Sequence, residues 1–170
     1  MKLRNFNFII LTISLTVSSV SAENRRASAS QITHAIISAC IFEEGINEME
    51  NITIYVMGND SIAETLKLYL NRSLGKATLR EIKSGKTPPA EKPTIILVGH
   101  PELADNAIAY CQENNVLSIT HIPEVLKKGI SLGVGLDKSG EPELIINREA
   151  TIREGKSWKK PMIKMARIIE

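Results

Sequence analysis

Five consecutive residues near the middle of the chain, Thr94 to Val98, constrain the fold more than any other feature. They read Thr-Ile-Ile-Leu-Val, a β-branched and aliphatic run without a polar residue after the threonine. A strand with one face in water alternates apolar and polar residues, whereas a strand covered on both faces does not. The run therefore predicts a central strand in a sheet that has structure packed on both sides.

The elements predicted around this strand alternate between helices and strands. Helices are indicated by apolar residues at three- and four-residue spacing, and strands by short β-branched runs. In chain order, we expect a helix at 31–44, a strand at 52–57, a helix at 60–72, strands at 77–82 and 94–98, a helix at 102–114, a strand at 116–120 and a short helix or turn at 121–128. This order favours a doubly wound α/β sheet, in which right-handed crossovers join parallel strands.

The C-terminal part departs from that alternation. Two strand-like runs, 130–136 and 141–146, flank an Asp-Lys-Ser-Gly turn whose glycine suits a left-handed backbone position. Helices are then expected at 147–154 and from residue 159 or 161 to residue 169. The predicted fold class is α/β, with a mostly parallel sheet, helices on both faces, a C-terminal antiparallel β-hairpin and two C-terminal helices.

The first 22 residues have the three zones of a cleavable export signal. Lys2 and Arg4 form a basic start, residues 6–20 form an apolar stretch, and Val20-Ser21-Ala22 is a small-residue cleavage site. An N-terminal membrane anchor is the alternative, although this stretch is shorter and richer in hydroxyl groups than a spanning helix. We expect a signal peptide at 1–22, a flexible tail at 23–30 and a single domain at 31–170.

The charge of the chain does not indicate nucleic-acid binding. The formal net charge is +2 at pH 7, and removal of the signal leaves 19 basic and 19 acidic side chains in residues 23–170. A nucleic-acid surface needs clustered basic residues. Here the basic residues are scattered apart from a modest C-terminal group, Lys156, Lys159, Lys160, Lys164 and Arg167. We therefore expect no nucleic-acid partner.

Known catalytic and cofactor motifs are missing from the sequence. The three histidines lack paired metal-ligand spacing, no Gly-x-Ser-x-Gly elbow occurs, and Gly133-Val134-Gly135 lies within a strand instead of opening a helix. The sequence predicts no enzyme, no cofactor and no metal site. An enzyme whose residues are assembled by the fold is the least favoured hypothesis, with His100 and His121 as its best candidates.

Two groups of residues nevertheless form candidate sites. Polar residues and a glycine follow three predicted strands, where open α/β sheets place ligands: Asn59, Asp60, Gly99, His100, Thr120 and His121. They form either a ligand or partner crevice or an ordinary set of turn and helix-capping residues. Cys40 and Cys111 each lie on the apolar face of a predicted helix. They form either a disulfide, which an oxidising compartment allows, or two buried free thiols.

The second half of the chain resembles the YfiR-like family. The resemblance lies in a glycine-rich strand, a polar hairpin turn and a strand ending in Ile-Asn, from Gly129 to Asn147. Ala150, Gly155, Ser157 and the predicted helix at 162–169 continue it. Upstream, the strand and acidic turn at 52–60 and the strands at 95–98 and 116–120 follow the family's element order, so the resemblance extends over residues 31–169.

This resemblance implies a small periplasmic regulator that catalyses nothing. The family's type member holds the periplasmic part of an inner-membrane diguanylate cyclase inactive, and its release raises cyclic-di-GMP and favours biofilm growth. The implied partner is such a cyclase or a similar membrane sensor, which the chain would repress by protein–protein contact. An outer-membrane protein and a second copy of the chain are further candidate partners. The alternative function is a periplasmic small-ligand sensor or transport accessory protein that binds in the crevice.

Overall fold

The computed structural model describes residues 28–137 and 139–170. The strands in these ranges are β1 (Asn51–Met57), β2 (Ser73–Leu74), β3 (Ala77–Gly85), β4 (Ile95–Val98), β5 (Leu117–Thr120), β6 (Leu132–Leu136), β7 (Pro142–Asn147) and β8 (Arg167–Ile169). The α-helices are α1 (Ala29–Cys40), α2 (Asp60–Lys67), α3 (Ala104–Asn114), α4 (Pro123–Leu126), α5 (Arg148–Arg153) and α6 (Lys160–Met165), with 3₁₀ turns at Ile46–Glu48 and Pro101–Leu103. The predicted signal peptide and most of the predicted tail lie outside the described residues.

All eight strands belong to one sheet, in the order β2-β3-β1-β4-β5-β6-β7-β8. The five strands from β3 to β6 in this order run parallel, β2 is antiparallel to β3, and β7 forms an antiparallel hairpin with β6. The predicted α/β class with a C-terminal hairpin is therefore confirmed. Among the residues described, no helix is both long and apolar enough to cross a bilayer.

Helices cover both faces of the sheet and divide the core in two. Ile95 and Leu97 of β4 belong to the core that includes α1 and α2, whereas Ile96 and Val98 belong to the core that includes α3 and α4. All four side chains are fully buried. Complete burial of an aliphatic side chain contributes about 1.5–3 kcal/mol, so both faces of this strand stabilise the fold. This double burial explains why the run at 94–98 contains no alternation.

The two cysteines lie in different cores and do not form a disulfide. Cys40 ends α1 in the first core and Cys111 lies on α3 in the second, and both are buried free thiols. Because the two cores occupy opposite faces, the sheet separates the thiols. Of the two alternatives that the sequence left open, the structure has the pair of buried thiols.

Helix α1 starts and ends earlier than predicted. Ser28 Oγ accepts the Gln31 N–H at 3.2 Å and the Gln31 side chain accepts the Ser28 N–H at 2.9 Å, which is a capping box. The helix stops after Cys40, and the backbone N–H of Ile46 instead donates to the buried Glu43 side chain at 2.5 Å. A carboxylate that caps the following turn ends the helix before Glu44.

Two predicted helices are too long at their C-terminal ends. The final helix stops at Met165, and β8 then pairs in parallel with β7, placing Ile168 opposite Ile146. Helix α2 stops at Lys67 instead of continuing to about residue 72, and turns at residues 68–71, where Asn71 has a positive φ, lead to β2. At the end of the last helix, apolar spacing fits a helix or a strand, and the open edge of the sheet supplies hydrogen-bond partners that favour the strand.

Candidate functional site

The predicted crevice lies where the chain reverses its direction of winding. β1 crosses through α2 to β3 on one side, and β4 crosses through α3 to β5 on the other. Ligands of doubly wound sheets bind at such a switch point, beyond the carboxyl ends of the two strands. The turns after β1 and β4 carry Asn59, Asp60, Gly99 and His100, so the structure brings these four residues together.

The two turns at the switch point close on each other. A Cβ placed on Gly99 would lie 2.4 Å from Asn59 Cβ, and one placed on Gly58 would lie 2.8 Å from His100 Cβ. The Gly99 N–H also donates to Met57 O at 2.8 Å. Backbone and Cβ atoms therefore fill the space between the two strand ends at this level.

The polar side chains of the predicted crevice cap the elements that follow them. Asn59 Oδ1 accepts the Ile62 N–H at 3.1 Å, and His100 Nδ1 accepts the Glu102 N–H at 3.4 Å. The buried Thr120 hydroxyl donates to Val98 O at 2.9 Å and accepts the Ile122 N–H at 3.2 Å. Asp60 is the exposed first residue of α2, and His121 is partly buried after β5.

These contacts favour the interpretation of Asn59 and His100 as helix-capping residues and of Thr120 as a turn residue. None of the six predicted crevice residues lines the two cavities described below. Within residues 28–137 and 139–170, no group of three or more His, Cys, Asp or Glu side chains is arranged to hold a metal ion.

A cavity of about 630 Å³ lies between β1, β3 and the proline-rich loop at 86–93. Tyr55 Oη donates to Thr87 O at 2.9 Å and so ties the loop to the sheet. Lys83 forms ion pairs with Glu81 at 3.1 Å and Glu91 at 2.8 Å on the lining of this cavity. The sequence predicts strands at 77–82 and 94–98 with a connection between them, whereas in the structure β3 continues to Gly85 and the rest of the connection packs against polar residues of β1 and β3.

A buried carboxylate connects the end of α5 to β5 and to the residue before β6. Glu154 is fully buried and accepts the Ser118 N–H at 2.9 Å, the Ser118 hydroxyl and the Ser131 hydroxyl at 2.5 Å. Burial raises the pKa of Glu154 to about 7, although the serine hydrogen bonds act in the opposite direction. The sequence contained no signal for this cluster, because its members are 13 to 36 residues apart.

The C-terminal segment forms a groove of about 370 Å³ with mostly apolar walls. Its lining residues are Ile146, Arg148, Thr151, Trp158, Ile163 and Ile168. Trp158 is buried, and its Nε1 donates to Thr151 Oγ1 at 3.4 Å, which holds the indole in place. The groove therefore has a rigid aromatic wall between β7, β8 and the last two helices.

Exposed aliphatic side chains are concentrated on the segment that forms this groove, and two of them, Ile163 and Ile168, line it. Six large hydrophobic side chains are exposed in the described ranges, and four of them belong to residues 148–170. These four are Ile152, Ile163, Met165 and Ile168, which are 66%, 50%, 60% and 40% exposed. Scattered exposed aliphatics are ordinary, whereas a group on one segment marks a surface that binds another molecule. We call this surface, formed by residues 146–170, the C-terminal face.

Positive charge is concentrated on the same segment. Residues 148–170 carry seven Lys and Arg side chains against three Asp and Glu, whereas residues 28–147 carry 10 against 15. One of the three carboxylates, Glu154, is buried. The near-neutral composition therefore hides a segregation of charge along the chain, because residues 148–170 are net basic and residues 28–147 are net acidic.

Comparison with solved structures shows a similarity in fold alone. The chain shares its fold with a conserved domain protein from Vibrio cholerae O1 biovar El Tor strain N16961. The superposition has a TM-score of 0.56 at 14% sequence identity and covers 85% of this chain. This chain spans 60% of the length of the Vibrio chain. No protein-family model matches the sequence, and no curated protein matches it.

Proposed function

We propose that this chain is an exported, non-catalytic regulator that represses a membrane-bound partner by protein–protein contact. The partner we propose is the periplasmic part of an inner-membrane diguanylate cyclase or a similar sensor. The observation that carries the proposal is the C-terminal face, on which exposed aliphatic side chains and positive charge coincide. The resemblance of residues 31–169 to YfiR-like regulators supports the choice of partner.

Repression would follow from unequal binding to two states of the partner. A ligand shifts a conformational equilibrium only through its preference for one state. Holding an otherwise half-active cyclase at about 1% activity requires binding to the inactive state about a hundredfold tighter, or about 2.7 kcal/mol. Burial of a few aliphatic side chains such as Ile163 and Ile168 against a surface that the partner presents only in its inactive state would supply a preference of this size.

The test is a reconstitution with purified components. Residues 23–170 are added to vesicles that contain the diguanylate cyclase encoded nearest to this gene, and synthesis of cyclic-di-GMP from GTP is measured. We expect saturable inhibition together with co-purification of the two proteins. Full cyclase activity and no binding at a large molar excess would contradict the proposal.

A second candidate function is small-ligand sensing in the cavity under the proline-rich loop. Its volume of about 630 Å³ is within the range of small-molecule sites. A specific ligand would raise the melting temperature by mass action. The increase in melting temperature would be smaller in a Tyr55→Phe variant, because this variant loses the hydrogen bond to Thr87 O. A metabolite library that leaves the melting temperature unchanged would exclude this function.

A further inference from the structure

The outer edge of β8 is open in the part of the chain that the structure describes. β8 is the last strand in the sheet order and pairs with β7 alone. Backbone N–H and C=O groups at such an edge form a template for another strand. Extended peptides commonly bind by adding a strand to an open edge, because main-chain hydrogen bonds give affinity and side-chain pockets give specificity.

The apolar groove lies on one face of this same edge. Ile168 is opposite Ile146 in the β7–β8 register, so both side chains point to the face that carries the groove. Residues directly opposite each other on neighbouring strands share a face. An added strand would therefore direct the side chain opposite Ile168 into the groove, beside Ile163 and Trp158.

The basic side chains of the C-terminal segment that form no ion pair within the described ranges favour an acidic binding partner. Arg148, Arg153 and Arg167 already form ion pairs with Glu170, Glu149 and Glu143. Lys160 and Lys164 form no ion pair with the described residues, and they lie four residues apart on one face of α6. Two unpaired ammonium groups on α6, the helix that contributes Ile163 to the groove wall, favour a segment that alternates aliphatic residues and carboxylates.

Two other occupants fit this edge less well. A lipid surface lacks the regularly spaced backbone N–H and C=O groups with which another strand would pair with β8, and it is flat where the groove is concave. A second copy of this chain would place its own basic C-terminal face against Lys160 and Lys164. Like charges that face each other across paired strands are destabilising.

We propose that the partner inserts an extended, acidic segment along β8 as a ninth strand of the sheet. One aliphatic side chain of the segment fills the groove at Ile163 and Ile168, and its carboxylates face Lys160 and Lys164. This inference rests on the proposed function because it specifies the surface and the chemistry by which the membrane partner is recognised.

The direct test is site-specific photocrosslinking of the exported chain in native membranes. A benzoylphenylalanine probe replaces Ile168 in one variant and Leu68, an exposed aliphatic residue far from β8 in the sequence, in a control. The crosslinked partner peptides are identified by mass spectrometry. We expect capture of an acidic, aliphatic segment from position 168 at least tenfold above position 68. Equal capture at both positions, lipid or self-crosslinks, a basic segment, or no crosslink at all would overturn the inference.

A charge-reversal pair separates this inference from the proposed function. Lys160→Glu/Lys164→Glu should weaken cyclase inhibition about tenfold or more, while Lys86→Glu/Lys127→Glu, which changes the net charge equally, should leave it unchanged. Inhibition that survives both double variants would overturn the inference and leave the proposed function standing. Capture of an acidic strand from a protein other than a cyclase or sensor would support the inference and contradict the proposed function.

Discussion

The backbone N–H of Ser118 donates to Glu154 Oε2 at 2.9 Å, and the Ser118 hydroxyl donates to the other oxygen of the same carboxylate. Both residues are fully buried. The contact joins the middle of β5 to the residue after α5, 36 positions later. The segment that carries the C-terminal face is therefore anchored to the centre of the sheet by one buried side chain.

This anchor makes the stability of the fold depend on pH. The pKa of Glu154 is about 7 in the folded chain against 4.5 ordinarily. The folded state thus binds the proton more tightly than the unfolded state, and the resulting stability is fully present below pH 4.5. It is lost as the pH rises towards and through 7, by about 3 kcal/mol in all. Urea unfolding of wild type and Glu154→Gln at pH 5 and pH 8 measures this effect. Between pH 5 and pH 8, the free energy of unfolding should decrease less for the Gln variant than for wild type. Identical pH profiles would contradict the raised pKa of Glu154.

A second buried carboxylate, Glu43, should contribute to stability through capping. It accepts the Ile46 N–H at 2.5 Å and the Ser157 N–H at 3.4 Å. Glu43→Ala should lower the free energy of unfolding by about 1–3 kcal/mol, because it leaves the buried Ile46 N–H without an acceptor. The neighbouring Glu44 is exposed and binds only the Ser157 hydroxyl, so Glu44→Ala should cost less than about 0.5 kcal/mol. Chemical denaturation distinguishes the two, and equal losses would argue against the capping role.

The closed turns at the switch point predict a large difference between two glycines. Gly99→Ala would bring a Cβ to 2.4 Å from Asn59 Cβ, and overpacking of this kind costs about 1–3 kcal/mol. Gly135→Ala is the control, because its Cβ would meet only Ile145 Cδ1 at 3.8 Å. Thermal unfolding should show a lower melting temperature for the first variant and an equal or higher one for the second. If Gly99→Ala unfolds like wild type, the turns are not closed as described.

Both cysteines should be inert thiols in the native protein. Burial, assisted by the charge of Glu43, raises the pKa of Cys40 to about 12, and burial also raises the pKa of Cys111 well above its usual range. The reactive thiolate is therefore scarce at neutral pH. An aromatic disulfide reagent should find no thiol in the native chain and two after denaturation without reductant. Detection of fewer than two would mean that the thiols are oxidised or bridged.

Exposed aliphatics of the C-terminal face should matter for binding and not for folding. Ile163 is 50% exposed, so Ile163→Ser should change the free energy of unfolding by no more than about 0.5 kcal/mol. Loss of an interface anchor typically costs more than about 1 kcal/mol of binding free energy, so the affinity for the membrane partner should fall about tenfold. Leu68→Ser, at a 72% exposed position on another surface, is the matched control. Titration of both variants against the cyclase vesicles checks the prediction, and equal affinities would contradict it.

Local sequence patterns determined the parts of the fold that depend on neighbouring residues. The apolar run at 94–98 predicted a strand buried on both faces, and helical spacing and capping residues located α3, α4 and α5 to within a few residues. The glycine-containing turn after Leu136 predicted the β6–β7 hairpin. In each case, the physical cause lies within a few residues along the chain, where a pattern can record it.

Only the tertiary structure decided which distant residues meet. It placed Cys40 and Cys111 on opposite faces of the sheet, closed the turns at Gly58 and Gly99, and converted the predicted end of the last helix into β8. It also buried Glu154 against two serines and left Ile163 and Ile168 exposed beside basic side chains. Burial and edge pairing depend on what packs against a residue from elsewhere in the chain. A residue's own neighbours in sequence carry no record of that contact.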